Sequence, residues 1–210
     1  MTHVCILEFY TPEEYFLKQK PATFEWGSID PSEVLKKHPK STTPETYHKT
    51  EQDMVLMIGP PASGKSALVK RHFLPNKYVH VNRDTLGTAE KCLKAAEEAL
   101  KAGKSVCIDN TNPKKSDRAA YISLGKKYKL NSVRCFRIKT PLELCHHLNY
   151  VRQNATRGKI RRIPDVGYHT FNKYLEEPDK SEGFTDIKEI NFAVDFESDE
   201  HEKIFKQWTN

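Results

Sequence analysis

Beyond residue 52 the apolar positions fall into short continuous runs that alternate with longer periodic stretches. Met54-Val55-Leu56-Met57-Ile58 is unbroken and of strand length, the pattern of a parallel strand covered on both faces. Residues 67–72 carry on as a helix, and Tyr78-Val79-His80-Val81-Asn82 is a second short strand. Residues 89–102 have helical periodicity, with Leu93, Ala96 and Leu100 on one face and Gly103 as the closing residue. Ser105-Val106-Cys107-Ile108 predicts a third strand, residues 116–128 a third helix and residues 133–138 a fourth strand. Pro141, suited to a first helical turn, opens a helix that runs to about Asn154. Strands alternating with helices predict an α/β fold, a central parallel sheet flanked by helices, and such sheets receive ligands at the carboxyl ends of their strands. Residues 197–210 fit a strand or a helix equally well.

The first 50 residues follow no such order. They mix aromatic and Pro-rich pieces and end in a polar stretch that includes His38-Pro39-Lys40-Ser41-Thr42-Thr43-Pro44, a composition that reads as linker. The expected division is therefore a linker or tail over residues 1–50 and a single domain over 51–210. No internal repeat occurs.

Composition changes this picture little. A chain of 210 residues holds one α/β domain and an appendage. The net charge of +6 with 30% charged residues suits a polyanionic partner and equally a solvated basic surface. No apolar run approaches the roughly 20 residues that span a bilayer, and the N-terminal stretch has no secretory pattern, so no membrane partner is expected. The five cysteines are scattered, without a Cys-x-x-Cys pair. That usage predicts a reducing, intracellular setting with neither disulfides nor a zinc site.

The candidate chemistry begins directly after the first strand. Gly59-Pro60-Pro61-Ala62-Ser63-Gly64-Lys65-Ser66 matches Gly-x4-Gly-Lys-Ser between a predicted strand and a predicted helix, the context that distinguishes a phosphate-binding P-loop. Backbone N–H groups and the helix N-terminus would cradle the phosphates of ATP. Lys65 would reach the β- and γ-phosphates, and Ser66 would ligate Mg²⁺.

Two aspartates follow strands. Asp109 ends the third strand in the manner of a Walker B motif, which predicts that it holds Mg²⁺ through water; an Asx-type cap on Asn110-Thr111-Asn112-Pro113 is the other reading. Asn110 stands where hydrolytic ATPases carry a water-activating glutamate, which favours a transferase. Asp84 lies past the carboxyl end of the second strand, where it could accept the proton of an attacking hydroxyl or simply cap the next helix. Asp84-Thr85-Leu86-Gly87 also matches a GTPase string, but no Asn-Lys-x-Asp guanine signature exists in the chain. Arg152, then Arg157, Lys159, Arg161 and Arg162, follow the fourth strand, as in the basic lid of a P-loop kinase. Arg152, on a helix, is the favoured one. Lys114, Lys115 and Arg118 could meet substrate phosphates.

Taken together, Gly59–Ser66, the string Tyr78-Val79-His80-Val81-Asn82-Arg83-Asp84-Thr85-Leu86-Gly87 and the string Ile108-Asp109-Asn110-Thr111-Asn112-Pro113 resemble the kinase domain of the eukaryotic polynucleotide 5′-kinase/3′-phosphatases. The resemblance runs from about residue 50 to at least Glu177-Pro178. Thr11-Pro12-Glu13-Glu14-Tyr15-Phe16-Leu17 is similar to the stretch where that family's phosphatase domain ends, although the phosphatase signature Asp-x-Asp-x-Thr is absent and there is no room for a forkhead-type module. The resemblance implies the kinase half of a larger protein, with a P-loop kinase fold.

It also implies roles. Asp84 would be the general base for a 5′-hydroxyl, Lys65 and Arg152 would stabilise the transferring phosphoryl group, and Arg83, Arg118 and Lys173 would contact nucleic acid. ATP and Mg²⁺ are the implied donor and cofactor, and a DNA or RNA end with a 5′-hydroxyl is the acceptor. The implied setting is strand-break repair in the nucleus by a monomer, with repair scaffold proteins binding elsewhere. One departure stands out. The family's basic run in the lid helix reads His147-Leu148-Asn149-Tyr150-Val151-Arg152 here, with Tyr150 at a basic position. A small-molecule kinase of the gluconate or shikimate type, or a nucleotide-gated binding module without chemistry, would share the same loop.

Overall fold

The computed structural model of the chain describes residues 10–20, 29–38, 46–196 and 198–207. In chain order the helices are α1 (Pro12–Tyr15), α2 (Pro31–Lys37), α3 (Lys65–His72), α4 (Arg83–Leu86), α5 (Ala89–Lys101), α6 (Lys115–Lys127), α7 (Leu142–Ala155), α8 (Asp165–Tyr174) and α9 (Asp199–Phe205). The strands are β1 (Met54–Ile58), β2 (Val79–Val81), β3 (Val106–Ile108), β4 (Val133–Ile138) and β5 (Asp186–Ile190).

All five strands run parallel in the order β2-β3-β1-β4-β5. All five residues of β1 have no exposed surface, as the unbroken apolar run requires, and each such side chain stabilises the fold by about 1.5–3 kcal/mol on burial. One cluster packs Met54, Leu56 and Ile58 with α5 and α6; the other packs Val55 and Met57 with Val69, Phe73 and Phe136. The order reverses at β1, because β3 and β2 lie to one side of it and β4 and β5 to the other. A crevice opens at such a switch point outside the strand's carboxyl end. The P-loop occupies it.

The structure adds elements to those the pattern predicts. β5 is an edge strand of half-exposed residues, and α8 covers the segment after the basic loop. Residues 199–205 form a helix, capped by the Ser198 side chain at the His201 N–H. α9 packs on α7, where buried His147 meets the Phe205 carbonyl at 2.7 Å. The linker expectation also changes: Ile29, Val34 and Leu35 pack on the cluster of Leu144, Val151 and Phe205, so α2 braces the lid helix. Residues 39–45, within the polar stretch that ends the expected linker, and Cys5 lie outside the described residues. The other four cysteines are buried and unpaired. Among the described residues no helix is long and apolar enough to cross a membrane.

Candidate active site

Two close constraints shape the loop between β1 and α3. Gly64 has φ +95, in the left-handed region, which a residue without Cβ enters at no steric cost. At Gly59 a Cβ would lie 3.0 Å from both Ile138 Cβ and Ser63 Oγ. Thr140, just past β4, fixes the loop from the other side by donating its hydroxyl to the Ser63 carbonyl at 2.8 Å.

Lys65 is nearly buried and donates Nζ to the carbonyls of Gly59 at 3.0 Å and Pro60 at 2.5 Å. Burial lowers the lysine to about 8; Arg152 pushes the same way, while the charges of Asp109 and Asp84 oppose it. A triphosphate placed against this ammonium would favour its charged form and raise that value. The contribution of Lys65 to triphosphate binding is then complete below about pH 8 and is lost as the pH rises beyond it. ATP binding at pH about 9 is expected to take up protons, measurable by calorimetry in two buffers of different ionisation enthalpy. Absence of uptake there would contradict this role for Lys65.

Beside the lysine, the Asp109 carboxylate collects donors from three elements. Its Oδ2 accepts from Ser66 Oγ at 2.6 Å, His80 Nε2 at 2.9 Å and Asn82 Nδ2 at 3.2 Å. Burial works against its ionisation, but hydrogen bonds from His80 and Ser66 and the charge of Lys65 hold it below the usual carboxylate range. Asp109 is therefore no turn cap. The Asn110–Pro113 turn is tied instead by its neighbours: Asn112 Nδ2 donates to the Met57 carbonyl at 2.8 Å, and Asn110 Oδ1 accepts the Arg83 N–H at 2.8 Å. These bonds join the ends of β1, β2 and β3, and they account for the Asn110-Thr111-Asn112-Pro113 string structurally.

Asp84 sits in the first turn of α4, but the cap of that helix is Asn82, whose Oδ1 accepts the Asp84 N–H at 2.7 Å. The Asp84 carboxylate is exposed and, among the described residues, has no hydrogen bond or ion pair. It lines a cleft of about 1240 Å³ together with Lys65, Ser66, His80, Asn82 and Arg152. Ordinary small-ligand pockets occupy roughly 300–1,000 Å³, so the cleft can take a nucleotide with a second reactant.

Arg152 of α7 donates to Asn149 Oδ1 at 2.8 Å. Only two buried side-chain polar atoms among the described residues lack a partner, Arg152 Nε and Asp109 Oδ1. Buried polar groups are rarely orphaned, and these two suit an anion and a cation respectively. The basic loop turns back at Arg157 and Gly158, both at positive φ, and Arg162 lies 4.5 Å over the Tyr150 ring. The tyrosine at the family's basic position is thus a seat for a lid arginine.

The expected nucleic-acid residues divide. Arg83 is exposed, and exposed Lys173 lies near the Tyr174 ring that Lys114 also covers. Arg118 is different and corrects the sequence reading: it has no exposed surface, holds Glu182 through two bonds of 2.7 Å and donates to the Asn112 and Pro113 carbonyls. With its guanidinium so committed, Arg118 is a buried tie between α6 and the loop before β5. His80 and Asn82 were missed as site residues. Their signal was period-two spacing, since register pairs His80 with Cys107 and so puts His80, Asn82 and Asp109 on one face.

Known proteins resemble this chain in sequence and in fold. The family model of an AAA domain matches residues 87–178. The chain is 35% identical over 192 residues to the bifunctional polynucleotide phosphatase/kinase of Schizosaccharomyces pombe, covering 89% of this chain and 45% of that protein. It is 36% identical over 195 residues to a protein of Acanthamoeba polyphaga mimivirus named as a candidate for the same description, covering 90% and 46%. The chain spans about half the length of the curated relatives it matches. Among solved structures, a gluconokinase from Sinorhizobium meliloti superposes with a TM-score of 0.51 at 15% identity, over 75% of this chain and 90% of that one. That likeness is one of fold alone.

Proposed function

This chain is a homologue of the bifunctional polynucleotide phosphatase/kinases over nine-tenths of its own length, and from that premise we propose that it transfers the γ-phosphate of ATP to the 5′-hydroxyl of a polynucleotide end. The observation that carries the proposal is Asp84: an uncommitted carboxylate at the end of β2 that shares one cleft with the phosphate-binding loop. The position after Asp109 is Asn110, which has no carboxylate to activate water and accepts the Arg83 N–H.

The loop binds the triphosphate through its backbone and Lys65, and Arg152, which lines the same cleft with an unpartnered Nε–H, stabilises phosphoryl charge. Asp84 orients the incoming 5′-hydroxyl and accepts its proton as transfer proceeds. Ser66 would ligate Mg²⁺ and Asp109 would hold it through water, since this ion usually keeps several waters; when bound, it neutralises charge on the phosphoryl oxygens. Residues 51–210 form the kinase domain. Arg83 and Lys173, both exposed, would contact the acceptor strand. A DNA end as acceptor would set the reaction in strand-break repair in the nucleus, carried out by a monomer.

Incubation with γ-labelled ATP, Mg²⁺ and a 5′-hydroxyl oligonucleotide is expected to label the oligonucleotide and to leave a 5′-phosphorylated control unlabelled. Tight ATP binding without transfer to any oligonucleotide would refute the proposal.

A further inference from the structure

Asp109 is almost fully buried, yet its two carboxylate oxygens are used unequally. Oδ2 accepts all three side-chain donors, from Ser66, His80 and Asn82, whereas Oδ1 is buried without a partner. A carboxylate offers about four acceptor positions, so crowding three donors on one oxygen fixes the side chain with the other oxygen left over. The donors differ in how free they are to do this. Asn82 splits its amide between Oδ2 and the Asp109 carbonyl at 3.0 Å, and its own oxygen caps α4. Ser66 belongs to the first turn of α3, where its hydroxyl would face the nucleotide's cation. His80 comes from β2, and the register that pairs it with Cys107 aims it at Asp109 from the backbone.

Resting on the kinase reading above, we propose that His80 is a positioning residue: its Nε2–H holds Asp109 Oδ2 so that Oδ1 stays directed to the cation bound with the nucleotide. A carboxylate cannot donate, so Nε2 must carry the proton in this contact. Hydrogen-bond partners behind a metal-binding group commonly change metal affinity or activity by about 10–100-fold when removed. His80 needs no contact with either reactant to have that effect. Its influence on transfer runs through Asp109.

The test is calorimetric titration of ATP into the full chain, with chelator and over a series of Mg²⁺ concentrations. His80→Leu is expected to bind ATP like the unsubstituted protein in chelator, but to need about 10–100-fold more Mg²⁺ for half-maximal enhancement of binding. His80→Gln keeps an N–H donor of similar reach and is expected to return within a few fold. His80→Asn, too short to reach Oδ2, should behave like the leucine variant and serves in its place if leucine prevents folding, as judged by thermal melting. An unchanged Mg²⁺ requirement in the leucine and asparagine variants overturns the proposal, as does an equal loss of ATP affinity in chelator. This readout needs no acceptor, so a failure to label oligonucleotides would count against the kinase reading without touching this one.

Discussion

Replacing Asp84 with asparagine is expected to lower transfer to a 5′-hydroxyl oligonucleotide by about 10²–10⁴-fold, the usual contribution of a positioned general base, while ATP affinity changes by no more than a few fold. The asymmetry follows from where Asp84 stands. Its backbone N–H is held by Asn82, but among the described residues its carboxylate has no hydrogen bond or ion pair. An exposed substitution of this kind usually shifts stability by no more than about 0.5 kcal/mol. A loss of turnover therefore reports on chemistry and not on folding. Asparagine keeps the size and the hydrogen-bonding oxygen but cannot accept a proton at neutral pH. Transfer rate, ATP binding and the melting temperature should be measured on the same preparation. If binding and transfer fall by the same factor, Asp84 is holding the nucleotide and is not the base.

Arg118→Leu should produce the opposite profile. Removing one partner of a buried ion pair commonly costs about 3–5 kcal/mol, since the remaining charge is left without compensation. Here Glu182 would lose both of its bonds to the guanidinium, and the carbonyls of Asn112 and Pro113 would lose a donor. For a chain of this size the melting temperature is expected to fall by roughly 10 °C. At a temperature where the variant is folded, its KM for an oligonucleotide should match that of the unsubstituted protein within a few fold. A direct DNA contact would instead raise KM and leave the melt unchanged. The double variant Arg118→Leu with Glu182→Leu should recover part of the lost stability, because no buried charge then stands alone.

These two residues also show where reading along the chain succeeds. The role proposed for Asp84 depends on short-range facts: an apolar strand, then a polar residue at its carboxyl end, in a fold class that puts ligands there. Arg118 offered no such clue. Its partner lies 64 positions away, and an arginine beside Lys114 and Lys115 has the same local appearance whether it faces solvent or Glu182. β5 escaped notice for a related reason. An edge strand is half covered, so Asp186-Ile187-Lys188-Glu189-Ile190 mixes charge with apolar residues and leaves no continuous run.

By itself, then, the amino-acid sequence determined the parallel α/β class, the phosphate-binding loop and the two strand-end aspartates, because each is written within a few consecutive residues by backbone conformation and burial. Tertiary structure alone decided the strand order that inserts β3 between β1 and β2. That insertion brings Asp109 to Ser66, 43 positions away, and to His80, 29 positions away. It also decided that Asn82 and not Asp84 caps α4, that Arg118 is sealed inside and that α2 braces the lid helix. Such pairings depend on which distant surfaces bury one another, and that is set by the packing of the whole sheet rather than by any local pattern.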